Sequence, residues 1–200
     1  MSRSRFALLL LLPLMVVLSM SYCAQAKVVV WKAPEVRVRI ELPKGYTFKQ
    51  VYSRKALISH ESGPKFQIVL RQLPSMVVTE EDIRRSGGHH HHEPENAKRL
   101  AQRIVGTARA MNGRTASGRT VKVLSTRTGK KGDGVWFGEE IYTITDQGRE
   151  ETSLFCQRVY YSKKFTFSLF LERKLKKGDD AKAIYGPFEA IANSVELQAQ

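Results

Sequence analysis

Residues 135–173 read VWFGEEIYTITDQGREETSLFCQRVYYSKKFTFSLFLER, and they hold the longest β-rich part of the chain. Three runs rich in aromatic and β-branched residues (VWFGEEIYTIT, EETSLFCQRVYY and KFTFSLFLER) are separated by the short polar segments DQG and SKK. Residues of these types favour strands, and short polar connections join strands that run antiparallel. In the third run, alternate positions from Phe165 to Leu171 are apolar, as a strand with one buried face requires. The stretch therefore predicts an antiparallel meander of three strands.

Upstream segments add further strands to this meander. VRVRIEL, residues 36–42, alternates strictly between apolar and charged residues, which predicts a half-buried strand. KALISHES and KFQIVLRQL are joined across SGPK, and they predict a hairpin because Gly63 and Pro64 signal a turn. TVKVLSTR predicts another strand, which leads into the glycine-punctuated turn TGKKGDG.

A helix is predicted between these two groups of strands. Pro94 suits the first turn, Glu93 and Glu95 suit the positive end of the helix dipole, and Gly113 ends the helix. The apolar positions fall at helical spacing: Ala97, Leu100, Ala101, Ile104, Ala108 and Met111. The remaining face is basic, but the apolar face lacks the aromatic anchors of a membrane-surface helix. We therefore expect this helix to pack on the sheet.

A second helix is predicted near the C-terminal end of the sequence, after the capping residues Asp179 and Asp180. Its expected buried stripe comprises Ile184, Tyr185, Phe188 and Ile191. Gly186 and Pro187 are expected to divide it into two pieces. Together these elements predict one α+β domain over residues 27–200, with a mainly antiparallel twisted sheet flanked by helices in an α/β/α sandwich.

The first 26 residues have the order of a secretory signal peptide. Arg3 and Arg5 precede an uncharged apolar run, and a small-residue site ends at Ala26. Cys23 raises lipid attachment as an alternative, but Tyr22 stands before it, where lipoprotein processing requires a small residue. We therefore expect export without a lipid anchor, to the periplasm or the extracellular space.

The chain is strongly basic, with a formal net charge of +14. Basic residues cluster at the ends of the predicted C-terminal strands: Lys130, Lys131, Lys163, Lys164, Arg173, Lys174, Lys176 and Lys177. Such residues keep the edges of a sheet from aggregating, and they also suit adhesion to anionic lipid headgroups. Nucleic acid is not an expected partner of an exported protein that lacks a base-stacking signature. The predicted partners are an envelope protein or an anionic membrane surface.

Four consecutive histidines lie in a glycine-containing loop at about residues 86–93: His89, His90, His91 and His92. In an extended loop, His89 and His91 project to one side and His90 and His92 to the other, so two imidazoles can reach one ion. Glu93 or Glu95 can supply an oxygen ligand. Neutral imidazole suits zinc, copper and nickel. The run is therefore interpreted either as a polar loop with incidental metal affinity or as a functional metal site.

No catalytic motif is evident in the sequence. It contains no G-x-S-x-G, H-E-x-x-H or G-x-G-x-x-G pattern. Cys156 stands in an apolar strand, where a thiol is expected to be buried and unreactive. These features predict a protein that is not an enzyme and that requires no cofactor.

Three segments resemble the family that includes the PsbP-like proteins of photosynthetic membranes and the periplasmic DcrB-like proteins. They are LPKGYTF at residues 42–48, the meander at 135–172 and FEAIANSVEL at 188–197. The resemblance implies an α/β/α sandwich and a binding, assembly or accessory role, because that family is largely non-enzymatic. We therefore predict a non-catalytic exported accessory or binding protein of the cell envelope. The alternative is an extracytoplasmic transition-metal-binding protein that uses the loop from His89 to His92.

Overall fold

The computed structural model describes residues 26–61, 67–77, 84 and 96–200. The predicted leader, except Ala26, and the predicted histidine loop lie outside these residues. The strands are β1 (Lys27–Ala33), β2 (Val36–Leu42), β3 (Tyr46–Tyr52), β4 (Lys55–His60), β5 (Gln67–Leu73), β6 (Thr115–Ala116), β7 (Arg119–Lys130), β8 (Trp136–Asp146), β9 (Glu151–Tyr161), β10 (Thr166–Leu175) and β11 (Glu196–Ala199). The helices within the described residues are α1 (Ala97–Met111) and α2 (Ala181–Ser194).

Eight strands form a large antiparallel sheet in the order β3-β4-β5-β10-β9-β8-β7-β6. The predicted meander is confirmed, since β8 pairs with β9 and β9 pairs with β10. In this register Ile141, Cys156 and Leu171 lie side by side and point into one core. The predicted hairpin is confirmed as well, because β4 and β5 pair with Ile58 opposite Ile68.

A second, three-stranded sheet has the order β1-β2-β11. The alternation of VRVRIEL predicted its central strand correctly, because the four apolar side chains of β2 are fully buried and its charged ones are not. The buried side chains of both sheets share one hydrophobic cluster. Trp31 of β1 links the sheets, with its ring centroid 6.3 Å from that of Phe48 and 6.0 Å from that of Phe167.

Helix α2 belongs to this same main core. Asp180 caps it as predicted, since its side chain accepts a hydrogen bond from the Lys182 backbone N–H at 2.9 Å. The predicted division is wrong, because one helix runs through Pro187. The proline removes one backbone hydrogen bond, whereas Phe188 and Ile191, in the turn that follows, stay fully buried. Packing against the sheets therefore outweighs the local cost.

Helix α1 covers the opposite face of the large sheet. Along β9, Leu154 and Cys156 face the main core, whereas Val159 and Tyr161 face α1. The helix begins at Ala97, with Asn96 as its cap; Pro94, which was predicted to lie in its first turn, is outside the described residues. At one point the approach is close, since a Cβ added to the glycine at position 138 would lie 2.5 Å from the carbonyl oxygen of residue 101.

The structure is mostly antiparallel sheet with two helices among its described elements. The predicted α/β/α sandwich is correct only in this coarse sense. Strands dominate the fold, and α2 shares its side of the large sheet with a three-stranded sheet that the prediction did not contain. Within the part of the chain that the structure covers, no helix is both long and apolar enough to cross a membrane.

Candidate functional site

The predicted basic residues lie at two opposite ends of the large sheet. Trp136 pairs with both Lys130 and Tyr161, so the β7–β8 and β9–β10 turns lie at the same end. This end holds Lys130, Lys131, Lys163 and Lys164. The other predicted basic residues, Arg173, Lys174, Lys176 and Lys177, lie at the far end of β10 or just after it.

At the far end, acidic side chains neutralise much of the basic charge. Lys174 Nζ lies 2.8 Å from a Glu151 oxygen, and an Arg173 nitrogen lies 3.8 Å from an Asp179 oxygen. Lys176 and Lys177, which are both exposed, follow this paired region. A pocket of about 510 Å³ here is lined by two glutamates as well as by basic residues. This end is therefore of mixed charge.

The first end contains a cleft of about 580 Å³. It lies between the start of α1, the β7–β8 turn, the β9–β10 turn and β11. We call it the basic cleft. Its apolar lining includes Val77, Ala97, Val135, Trp136, Phe165 and Leu197.

Four lysines also line the basic cleft: Lys98, Lys131, Lys163 and Lys164. Lys98 Nζ lies over the Trp136 ring, 5.5 Å from its centroid. Lys131 Nζ donates a hydrogen bond to the Asn193 carbonyl oxygen at 2.9 Å. Lys163 and Lys164 are exposed and form no ion pair with any residue that the structure describes. The basic cleft therefore combines apolar walls with two available cationic groups at its mouth.

An acidic residue at the cleft is already paired. Asp133, in the β7–β8 turn, lies 3.5 Å from Lys130 Nζ, and both side chains are exposed. The predicted basic residue Lys130 therefore contributes little net positive charge to the cleft. Lys98 and Trp136, by contrast, were not among the predicted site residues. Their signal was weak, because the lysine looked like part of a solvated helix face and the tryptophan like an ordinary strand residue.

A cluster of buried charge lies near the basic cleft, under α2. The Glu139 carboxylate is fully buried and accepts hydrogen bonds from Arg127 Nε at 2.8 Å and from Arg158 Nε at 2.7 Å. Both guanidinium groups also donate to the Asn193 side-chain oxygen, at 3.2 and 2.9 Å. The hydrogen bond from Arg127 to Glu139 is the main cause of the raised pKa of Arg127. The cluster ties three strands to the end of α2.

Two other titratable groups are held in their neutral forms by the main core. Cys156 is fully buried, as predicted, and burial raises the pKa of its thiol. Burial also raises the pKa of Tyr160 to about 12, and its hydroxyl donates a hydrogen bond to the Ala192 carbonyl oxygen at 2.7 Å. A neutral buried thiol is a poor nucleophile.

The predicted metal ligands all lie outside the described residues, and their role stays a prediction: His89, His90, His91, His92, Glu93 and Glu95. Within residues 26–61, 67–77, 84 and 96–200, no group of three or more His, Cys, Asp or Glu side chains is placed to hold a metal ion. Val77 and Asn96, which stand on either side of the histidine segment in the sequence, both line the basic cleft.

Comparisons with known proteins find similarity in structure but not in sequence. No protein-family model matches the sequence, and no curated protein matches it. The structure is similar to the crystal structure of LpqN, which is involved in cell envelope biogenesis of Mycobacterium tuberculosis. The match covers 87% of this chain and 91% of that chain, with a TM-score of 0.44 and 12% sequence identity. This similarity supports no argument about function, and the resemblance to PsbP-like and DcrB-like proteins is not confirmed.

Proposed function

We propose that this chain is an exported, non-catalytic binding protein of the cell envelope that attaches to anionic lipid surfaces. The attachment surface is the mouth of the basic cleft. The observation that supports this proposal is the pair of exposed lysines, Lys163 and Lys164, beside an apolar cleft. An anionic lipid surface offers both the negative charge that complements these lysines and the apolar chains that complement the cleft.

Electrostatics predicts weak and reversible attachment. Each lysine near an anionic leaflet contributes about 1 kcal/mol. Lys163 and Lys164 therefore supply roughly 2 kcal/mol together, and the side chain of Trp136 in the cleft adds an apolar contact. Exposed charges are screened over about 8 Å at physiological ionic strength, so binding must weaken as salt is added.

The two ends of the large sheet make a matched experiment possible. Lys163→Gln/Lys164→Gln and Lys176→Gln/Lys177→Gln each remove two adjacent lysines, so both variants lose the same net charge. Residues 27–200, which contain every described strand and helix, would be sedimented with vesicles of mixed phosphatidylglycerol and phosphatidylcholine at low and high ionic strength. We expect the first variant to lose most of its binding and the second to retain it.

Two outcomes would contradict the proposal. Equal losses in the two variants would mean that net charge alone, and not the basic cleft, attracts the protein to the vesicles. Absence of binding to anionic vesicles at low ionic strength would exclude attachment to such surfaces.

A further inference from the structure

The basic cleft has the size and the lining of a small-molecule site. Sites of this kind enclose about 300–1,000 Å³ and are mostly apolar, with a few polar groups that orient the ligand. The basic cleft encloses about 580 Å³. Its volume and walls therefore suit part of an amphiphile better than they suit a small inorganic anion.

The walls are firmly held, because they belong to both hydrophobic clusters of the protein. Ala97 belongs to the cluster under α1, and Trp136 packs against that cluster. Val135 and Phe165 belong to the main core. Phe165 is only 1% exposed, and Ala97 is the first residue of α1. An apolar chain in the cleft would extend apolar surfaces that are already packed.

The charge at the mouth specifies the other end of the ligand. Lys163 and Lys164 form no ion pair with a described residue, and Asp133 is already paired with Lys130. A carboxylate or a phosphate complements these ammonium groups. A neutral apolar ligand would gain no attraction from these charges.

We infer that the basic cleft binds one acyl chain of a single-chain anionic amphiphile, with its headgroup at Lys163 and Lys164. This inference rests on the proposed function and deepens it, because it names the class of lipid molecule that the basic cleft binds at an anionic lipid surface. Binding involves no covalent step. The ligand class is a fatty acid or a lysophospholipid.

The two tryptophans allow a direct test with 9,10-dibromostearate as the probe, kept below its micelle concentration. Bromine quenches tryptophan only at short range. Trp136 lines the cleft, whereas Trp31 is not among the described residues that line it and is buried in the main core. We expect saturable quenching near one probe per protein, and Trp136→Phe should abolish the quenching while native mass spectrometry still detects the bound probe.

Variants separate the tail from the headgroup. Ala199, an exposed residue of β11 at the cleft wall, offers a position for added bulk. Ala199→Phe should weaken probe binding at least 10-fold, and Lys163→Gln/Lys164→Gln should weaken it about 5- to 10-fold. The pair Lys176→Gln/Lys177→Gln should leave probe binding unchanged.

Three results would overturn the inference. They are quenching that persists in Trp136→Phe, unchanged binding in Ala199→Phe, and equal affinity for the methyl ester of the probe. Vesicle binding without any probe binding would overturn the inference and leave the proposed function standing. Probe binding without vesicle binding would support the ligand class and overturn the attachment to lipid surfaces.

Discussion

Glu139→Met would remove the carboxylate at the centre of the buried charge cluster. The Arg158 side chain is 3% exposed and ion-pairs with Glu139, so it cannot turn to water when that partner is lost. The Arg158 guanidinium would still contact the Asn193 side-chain oxygen, at 2.9 Å, and the Phe137 ring, whose centroid lies 4.9 Å from the guanidinium carbon. Neither of these groups is a negative charge, and the buried guanidinium would be uncompensated.

Breaking a buried ion pair by removing one partner costs about 3–5 kcal/mol. Arg127 is 43% exposed and can be solvated after the substitution, so most of the cost falls on Arg158. We therefore expect the free energy of unfolding to fall by about 3 kcal/mol, the lower end of that range. Against a total of about 5–15 kcal/mol this is a large loss.

The matched variants are Arg158→Met and the double variant Glu139→Met/Arg158→Met. The free energy of unfolding of Arg158→Met should also fall by about 3 kcal/mol, because the buried Glu139 carboxylate then has only the half-exposed Arg127 as a partner. The double variant should be close to the parent protein, since two apolar side chains of similar length replace the pair without an uncompensated charge. Urea unfolding followed by far-ultraviolet circular dichroism measures all three free energies. A loss below about 1 kcal/mol in both single variants, or additive losses in the double variant, would refute the reasoning.

Three further predictions concern packing, pH and metal. Gly138→Ala should destabilise by about 1–3 kcal/mol, because its Cβ would lie 2.5 Å from the Ala101 carbonyl oxygen. Gly106→Ala, where the added Cβ meets nothing within 4 Å, should stabilise α1 by up to about 1 kcal/mol. If the urea midpoints of the two glycine variants shift in the same direction, the close approach of α1 to position 138 is excluded. Burial raises the pKa of the Glu140 carboxyl above 4.5, so the contribution of this group to stability is fully present below that pH, where it is neutral, and is lost as pH rises through its folded-state pKa. Glu140→Gln should therefore raise the thermal midpoint at pH 7 and not at about pH 4, and an equal gain at both would contradict this sign. Replacing the four histidines at positions 89–92 by alanine should abolish calorimetric uptake of zinc, copper or nickel if the run is a metal site, with affinity falling below about pH 6.5 in the parent; unchanged uptake would exclude these ligands.

Local patterns were sufficient for the elements whose burial repeats along the chain. The alternation of β2 and the apolar stripe of α1 each report one buried face, so both were predictable. The three-stranded sheet was not, because β11 is a four-residue strand, ELQA, with one half-buried side chain. Its strand conformation depends on pairing with β2 and not on its own composition. The continuity of α2 through Pro187 likewise depends on tertiary packing.

The candidate site was predictable only as separate residues. Lys163 and Lys164 were visible as a basic pair between two strands, but the cleft beside them is assembled from segments near residues 96–98, 131–136, 162–165 and 197–199. No periodicity links segments so far apart in the sequence. The buried charge cluster had a partial signal, since Glu139 and Arg158 stand in runs otherwise rich in apolar residues. Only the strand register, which places these two residues directly opposite each other, turns that signal into an ion pair.

The position of β2 between β1 and β11 has a consequence for how the chain acquires its fold during synthesis. One edge of β2 is paired almost at once, because Ala33 lies opposite Val36, three residues later. The other edge waits for Leu197, which lies opposite Val38 and follows it by 159 residues. Until β11 has been synthesised, β2 presents an unpaired edge to any extended peptide nearby. A nascent chain that cannot complete this sheet early stays unfolded for longer, which suits the export across a membrane that we propose.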